Sequence, residues 1–310
     1  LEREFDVITA LDVCVDFLVD CGDTEPEFGQ KEKTVGGYSL EMGGSACIFA
    51  CQCARLGLRT AGAGAAGDDA MAGIVLESLV GSGVDISRIR TLRAEKTGLS
   101  LALTKRGGDR SILTYMGTID AAEGKQLEEL LPRTRHLHIC SYYLMKSLQP
   151  AYPDILGRAK RLGVTVSLDT NWDPEEKWDG GVKDILPYVD VFLPNESEIA
   201  HITGEDRPEN AARRAAELVP VVAVKRGEKG ACAYCGGKRY ESGALSVTVA
   251  DTVGAGDSFD GGFVYGFLSG MPVEKCLRAG TVCGSLSARK PGGRAGQADL
   301  REVMGYVGQG

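Results

Sequence analysis

The sequence predicts an α/β fold: a mostly parallel central sheet flanked by helices, carrying a small β-sheet lid. Three observations lead there. Strand-like apolar runs alternate with helical runs over most of the chain, the arrangement of a parallel sheet covered on both faces. Two segments, 17–42 and 97–117, break that rhythm and have no helical face. The length, 310 residues, suits two domains, or one large α/β domain with an appendage, and buries a sizeable core without staples.

Taken in order, residues 5–11 form an apolar, β-compatible run, 45–56 a helix, 59–63 a short strand and 69–80 a helix. Further strands fall at 136–140, 164–169, 190–193 and 221–224, with helices at 122–131, 152–162 and 209–218. Residues 98–104 alternate, turn at Arg106-Gly107-Gly108-Asp109 and continue through 110–116, a hairpin pattern. The large α/β domain is therefore assigned to 1–16, 43–96 and 118–310, and the lid to 17–42 and 97–117. Open α/β sheets bind ligands at the carboxyl ends of their strands, so a flap there would close over a ligand.

Composition narrows the function classes. Asp and Glu number 43 against 35 Lys and Arg, a net charge of -8. That sign repels nucleic acid and anionic lipid over most of the surface. No apolar run approaches the roughly 20 residues of a membrane span, and no basic segment followed by an apolar stretch marks a leader. A cytoplasmic location, with no nucleic-acid or membrane partner, is expected. The 10 cysteines lie in apolar contexts and read as reduced, buried thiols. Cys232 and Cys235 have C-x-x-C spacing without a second pair, so they read as part of a hairpin closed by Gly236-Gly237 rather than as zinc ligands. Glycine, 42 residues, is about twice as frequent as usual, which serves close approach of backbone to a ligand.

The densest local signal is DTVGAGDSFDGGF, 251–263. Gly254-Ala255-Gly256 permit a tight turn, and a helix follows from Asp257 with Phe259, Phe263 and Phe267 on one face. The amides of Gly254, Ala255, Gly256 and Asp257 then point outward at a helix N-terminus, an anion site that needs no basic patch. A capped helix alone would explain one Asp and one Gly. It does not explain Asp251, three small residues and Asp257 together. A carboxylate beside an anion site needs a task of its own, and taking a proton from a hydroxyl nucleophile is such a task.

Other motifs have plainer readings beside the chemical one. Asn195 and Glu198 follow a strand at N-cap and N3 spacing, a capping box on spacing alone. Asp169 and Asn171 end the preceding strand, where an Asx turn is the alternative. His136, His138 and His201 form no catalytic constellation. Residues 62–67, GAGAAG, fit G-x-G-x-x-G after a short strand, the pattern of a dinucleotide-binding turn. It is set aside because that strand does not read as the first of a βαβ unit, and 84–91 is too polar for a buried second strand.

The 251–257 segment resembles the D-T-x-G-A-G-D signature of the ribokinase-like carbohydrate kinases, the phosphofructokinase-B family. The resemblance extends through most of the chain, since GGSACIFACQCARLG (43–57), GAAGDDAMAG, LDTNWDP, LPNESE and VKRGEKGA follow in family order. It implies a kinase that transfers the γ-phosphoryl group of Mg-ATP to a hydroxyl of a sugar or sugar-like molecule. By that resemblance Asp257 is the catalytic base, and the amides of Gly254, Ala255, Gly256 and Asp257 form the anion hole. Asn195 and Glu198 organise Mg²⁺ near the phosphates. Asp251, with carbonyls near 289–293, resembles the ligand set of a monovalent cation such as K⁺. Lys225, Gly227 and Gly230 face the nucleotide, and Thr281 its adenine end; for Lys225 a solvated charge run stays open as the alternative.

For the acceptor, Asp16 resembles the aspartate that binds sugar hydroxyls, with Asp12 four residues earlier and Gly43-Gly44 allowing backbone approach; a strand-end turn is the plain reading of either Asp. Cys14 and Ile48 stand where ribokinases have Asn, which points to an acceptor with fewer hydroxyls or with an apolar group. A nucleoside kinase on the same scaffold is the nearest alternative. An already phosphorylated sugar would need Lys105, Arg106 or Arg110 as extra cations. A catalytically inactive nucleotide-binding regulator is the alternative of another class. Homodimerisation through the lid is common among similar kinases.

Overall fold

The computed structural model describes residues 3–308, so the outermost ends of the expected large domain lie outside the described residues. The chain opens with β1 (Phe5–Leu11), β2 (Cys14–Gly22), β3 (Gly37–Met42), α1 (Ser45–Arg55), β4 (Thr60–Gly67), α2 (Ala70–Gly81) and β5 (Asp85–Leu92). A hairpin, β6 (Gly98–Lys105) and β7 (Arg110–Tyr115), precedes α3 (Gly124–Leu130), β8 (Thr134–Ile139), α4 (Tyr152–Arg161) and β9 (Thr165–Leu168). Then come α5 (Val182–Ile185), β10 (Val191–Phe192), α6 (Glu196–Thr203), α7 (Pro208–Ala215) and β11 (Val221–Lys225). A second hairpin, β12 (Ala231–Cys235) and β13 (Lys238–Ser242), leads to α8 (Ala255–Leu268), α9 (Val273–Ser287) and α10 (Leu300–Val307).

The larger sheet has the order β13-β12-β11-β10-β9-β8-β1-β4-β5. From β11 to β5 every neighbouring pair is parallel, while β12 pairs antiparallel with both β11 and β13. Gly236 and Gly237 make its turn at φ 56° and 74°, so the C-x-x-C pair lies on a hairpin strand as expected. Strand β1 is buried throughout, and its alternate side chains feed two cores. Ile8 packs with Leu127, Ile155 and Ile199 of the helices on one face, and Val7 with Phe49, Phe263 and Leu277 on the other.

Two expectations are corrected at β4. The strand runs on to Gly67 rather than ending at 63, and β4, α2 and β5 do form a parallel βαβ unit. The polarity of 84–91 is that of an edge strand, since no residue of β5 is fully buried. The G-x-G-x-x-G residues nevertheless lie inside the strand, not in a turn, and their missing side chains serve packing. A Cβ on Gly62 would stand 2.2 Å from Leu11 Cδ1, and one on Gly64 would stand 2.8 Å from the Leu11 carbonyl oxygen.

The smaller sheet has the order β3-β2-β6-β7 and starts at Cys14, so Asp16 belongs to it rather than to the end of β1. Its two faces differ because side chains alternate. On one face Phe17 is level with Leu40 and Leu101, and Leu101 with Leu113. On the other, Asp16 is level with Glu41 and Ser100, and Ser100 with Thr114. The apolar face is open to solvent at Tyr38, Leu113 and Tyr115.

Gly64→Ala should lower stability by about 1–3 kcal/mol, because the obstacle is backbone and no rotamer change relieves it. Gly73→Ala in α2, where a Cβ meets nothing within 4 Å, should leave stability unchanged or raise it by up to about 1 kcal/mol. Urea unfolding of the two variants checks both signs.

Candidate functional site

The mouth of α8 is shaped by glycine. Gly254 caps the helix at φ 71°, and a Cβ there would stand 2.6 Å from Gly293 Cα. The amides of Gly254, Gly256 and Asp257 have no hydrogen-bond partner among the described residues, while that of Ala255 turns back to the Thr252 carbonyl at 3.3 Å. Three of the four expected amides are thus open. Asp251 anchors the loop: its Oδ1 accepts from the Val253 amide and its Oδ2 from the Gly292 amide, each at 3.0 Å. Arg110 reaches over from β7, donating to Thr252 Oγ1 at 2.7 Å with its guanidinium 3.6 Å from Asp251 Oδ1.

Inside this mouth several carboxylates share one ammonium. Asp257 is 6% exposed, and one ligand atom each of Asp257, Asp169 and Cys140 lie within 4.8 Å of one another. Burial and the neighbouring Asp169 charge push Asp257 up to about 8, with Lys225 opposing. Lys225 ends β11 and donates to Asp169 Oδ2 at 2.6 Å and to both oxygens of Asp260 at 3.3 Å. It is no solvated charge. Burial works against its ammonium, but Asp169 and Asp260 more than offset that and hold its proton firmly.

The spacing of Asn195 and Glu198 does produce a capping box. Asn195 Oδ1 accepts from the Glu198 amide at 2.9 Å, and Glu198 Oε2 accepts from the Asn195 amide at 2.8 Å. Glu198 is buried, and burial with the Asp169 charge raises it to about 7. Asn171, at φ 54°, ties three elements together: its Oδ1 accepts from the Ser141 amide at 2.7 Å and its Nδ2 donates to Ser45 Oγ at 3.2 Å. The sequence reading missed Ser45, Ser141, Cys140 and Asp260. Only the first three needed the fold to be found, because Asp260 lies three residues after Asp257 on the same helix face.

On the side of the small sheet, Asp12 differs from expectation. Its carboxylate accepts from the Ser45 and Ala46 amides at 2.9 and 3.0 Å and from Ser141 Oγ at 2.5 Å. It therefore caps α1 from across the sheet and has no edge open to a ligand; burial raises it to about 6. Asp16 is different again. The one hydrogen bond its carboxylate accepts among the described residues comes from the Cys14 thiol, 3.9 Å away. Gly43 lies directly against it, where a Cβ would come within 2.3 Å of Oδ1, and Gly44 packs on Asp12 at φ 83°. Burial and the charges of Asp12 and Asp251 lift Asp16 to about 7, with Arg110 opposing. Ile48 is 2% exposed and packs against Gly254 and Gly293, so it leaves no apolar surface for an acceptor.

On the far side of the α8 mouth a cavity of about 670 Å³ is lined by Lys225, Gly227, Gly230, Ala255, Gly256 and Thr281, with Val247, Val249 and Phe259 as apolar wall. Its size falls in the range of small-molecule sites. Gly230 sits at φ 82°, where a Cβ would stand 2.0 Å from the Ser242 carbonyl oxygen. The Thr281 hydroxyl donates its proton to the Leu277 carbonyl within α9, which leaves its oxygen as an acceptor toward the cavity. Lys105 and Arg106 pair with Glu25 and Asp23 on the small sheet, and neither is a free cation. His136 and His138 are wholly buried and joined through Ser167 at 2.7 Å each, away from any open surface.

The profile of the pfkB family carbohydrate kinases matches residues 10–299. The chain belongs to that family. It is 32% identical over 248 residues to an uncharacterized sugar kinase of Archaeoglobus fulgidus, covering 78% of this chain and 96% of that protein. It is 29% identical over 291 residues to the 2-dehydro-3-deoxygluconokinase of Bacillus subtilis, covering 88% of each. The fold is that of the Arabidopsis thaliana ribokinase, solved with ribose and ATP, with a TM-score of 0.83 at 23% identity over 99% of both chains.

The raised carboxyls make stability depend on pH. Asp12, Asp16, Glu198 and Asp257 all bind protons more tightly folded than unfolded, so their contribution is present at low pH and is lost as pH rises through 6 to 8. The buried His136, lowered to about 3, acts in the opposite sense but only below about 6.5. Between pH 6.5 and 8.5 the ligand-free protein should therefore lose thermal stability steadily. Asp257→Asn should flatten the upper part of that decline in a Tm-versus-pH series.

Proposed function

We propose that this protein transfers the γ-phosphoryl group of ATP to a hydroxyl of a sugar or sugar-like acceptor, with Asp257 as the general base. One observation carries the reading: open backbone amides and a buried carboxylate raised to about 8 share one helix mouth, between a nucleotide-sized cavity and an aspartate lacking strong donors. The nucleotide lies in the cavity along Gly227, Gly230 and Thr281, with its phosphates at Gly256. Asp16, with Gly43 and Gly44 beside it, accepts hydrogen bonds from acceptor hydroxyls. As the acceptor oxygen attacks in line, Asp257 takes its proton, and the amides of Gly254, Gly256 and Asp257 face the phosphoryl oxygens. Asp12 supports this geometry by fixing α1 rather than by touching the acceptor.

The donor set beside the phosphates is oxygen-rich and short of positive charge, which suits Mg²⁺. Glu198, held by Asn195, would hold it through waters, and the bound ion neutralises phosphate charge. K⁺ activation through Asp251 has weaker support, since both carboxylate oxygens already accept amides and Arg110 supplies charge beside them. The small sheet acts as the lid, with Arg110 its contact to the anion loop, and closure excludes water that would hydrolyse ATP. The exposed apolar face of that sheet fits a second copy of this chain, giving a homodimer through the lid. Among the described residues no helix is long and apolar enough to cross a membrane. The nucleoside reading loses the support of Ile48. The reading as an inactive regulator has against it the intact Asp251, Gly254, Gly256 and Asp257.

Asp257→Asn should lower kcat by roughly 10²–10⁴-fold while ATP binding stays nearly intact. In the unsubstituted protein, turnover should fall as pH drops below the Asp257 value. ADP release measured against a panel of sugars and nucleosides names the acceptor, and turnover on no acceptor despite bound ATP would favour the regulator. Leu113→Lys, on the apolar face, should shift sedimentation from dimer to monomer.

A further inference from the structure

We propose that Asp260 is a positioning residue for the nucleotide: it holds the Lys225 ammonium at the cavity rim so that one N–H is directed past Gly256 to the terminal phosphate of ATP. The inference rests on the kinase reading above and adds to it a residue that no part of that reading uses.

An ammonium has three donors. Asp169 Oδ2 takes one at 2.6 Å, and the two oxygens of Asp260, both at 3.3 Å, share a second. The third is left toward the cavity that Lys225 lines together with Gly256. Nζ lies 3.5 Å from the point where a Cβ on Gly256 would stand. Glycine at 256 keeps that path free of a side chain.

Asp260 is 0% exposed and lies one turn deeper in α8 than Asp257. It has no route to a ligand, so any effect it has on nucleotide binding passes through Lys225. A balanced buried pair would need Asp169 alone. Two carboxylates around one ammonium cost more desolvation than one, in a stretch of helix otherwise given to Phe259 and Phe263. The second carboxyl has a geometric task. Without it the ammonium is drawn wholly onto Asp169, toward Asp257 and away from the phosphates.

The test uses the full chain as Asp260→Asn, Lys225→Met and the double variant, titrated calorimetrically with Mg-ADP and with Mg-adenylyl imidodiphosphate, the non-hydrolysable ATP analogue. Asp260→Asn should weaken the ATP analogue about tenfold, the loss of one charge-assisted hydrogen bond, and leave ADP within about twofold. Lys225→Met should weaken the analogue at least as much. The double variant should match Lys225→Met alone, because Asp260 acts only through that lysine. Unchanged analogue binding in Asp260→Asn, equal losses for both nucleotides, or additive losses in the double variant would each overturn the proposal. Should thermal unfolding show Asp260→Asn misfolded, Lys225→Met/Asp260→Leu compared with Lys225→Met answers the same question, since apolar replacement of a buried pair is tolerated. Failure of the unsubstituted chain to bind either nucleotide would overturn the kinase reading instead.

Discussion

Asp169 and Asp260 pair with a single ammonium, that of Lys225, at the carboxyl edge of the larger sheet, and Glu198 and Asp257 lie within reach of its charge. Such a surplus of buried negative charge is tolerable only where something compensates it. The positive end of α8 supplies part, and the Asn195 amide at the start of α6 donates to Glu198. Burial and the Asp169 charge push Asp257, Glu198 and Asp260 above ordinary carboxylates, so retained protons relieve the rest. In the proposed reaction, Mg²⁺ entering with the nucleotide would offset the local surplus of carboxylates.

How much of this is legible in the sequence depends on whether the signal is local. The alternation of apolar runs locates the parallel sheet, and the family motifs locate the α8 loop, because both are written in contiguous residues. Boundaries fail where two kinds of pattern overlap. GAGAAG carries glycine's turn signal, yet in β4 those glycines exist to admit Leu11. Residues 84–91 look too polar to pair, yet an edge strand needs only half its surface covered.

The site shows the same division more sharply. Asp257, Asp251, Asn195 and Glu198 lie in short motifs whose geometry follows from a helix terminus. Asp12 is legible as a carboxylate at a sheet edge, but its partners Ser45, Ala46 and Ser141 come from two other elements, and the three bonds turn a candidate ligand group into a cap. Lys225 keeps a surface reading open because its neighbours in sequence are charged. Its neighbours in space, Asp169 and Asp260, lie 56 and 35 residues away. Ile48 likewise changes meaning once Gly254 and Gly293 are seen to enclose it.

The smaller sheet is a ribbon one strand thick, and its sides serve different masters. Thr114 belongs to the polar side, Leu113 to the greasy side, and they are adjacent on β7, the strand that also launches Arg110 toward Thr252. Whatever covers the greasy side must stiffen the same backbone that aims the guanidinium. On the proposed reading, a second copy seated on the greasy side and the phosphate chemistry at the α8 mouth would be mechanically joined through β7.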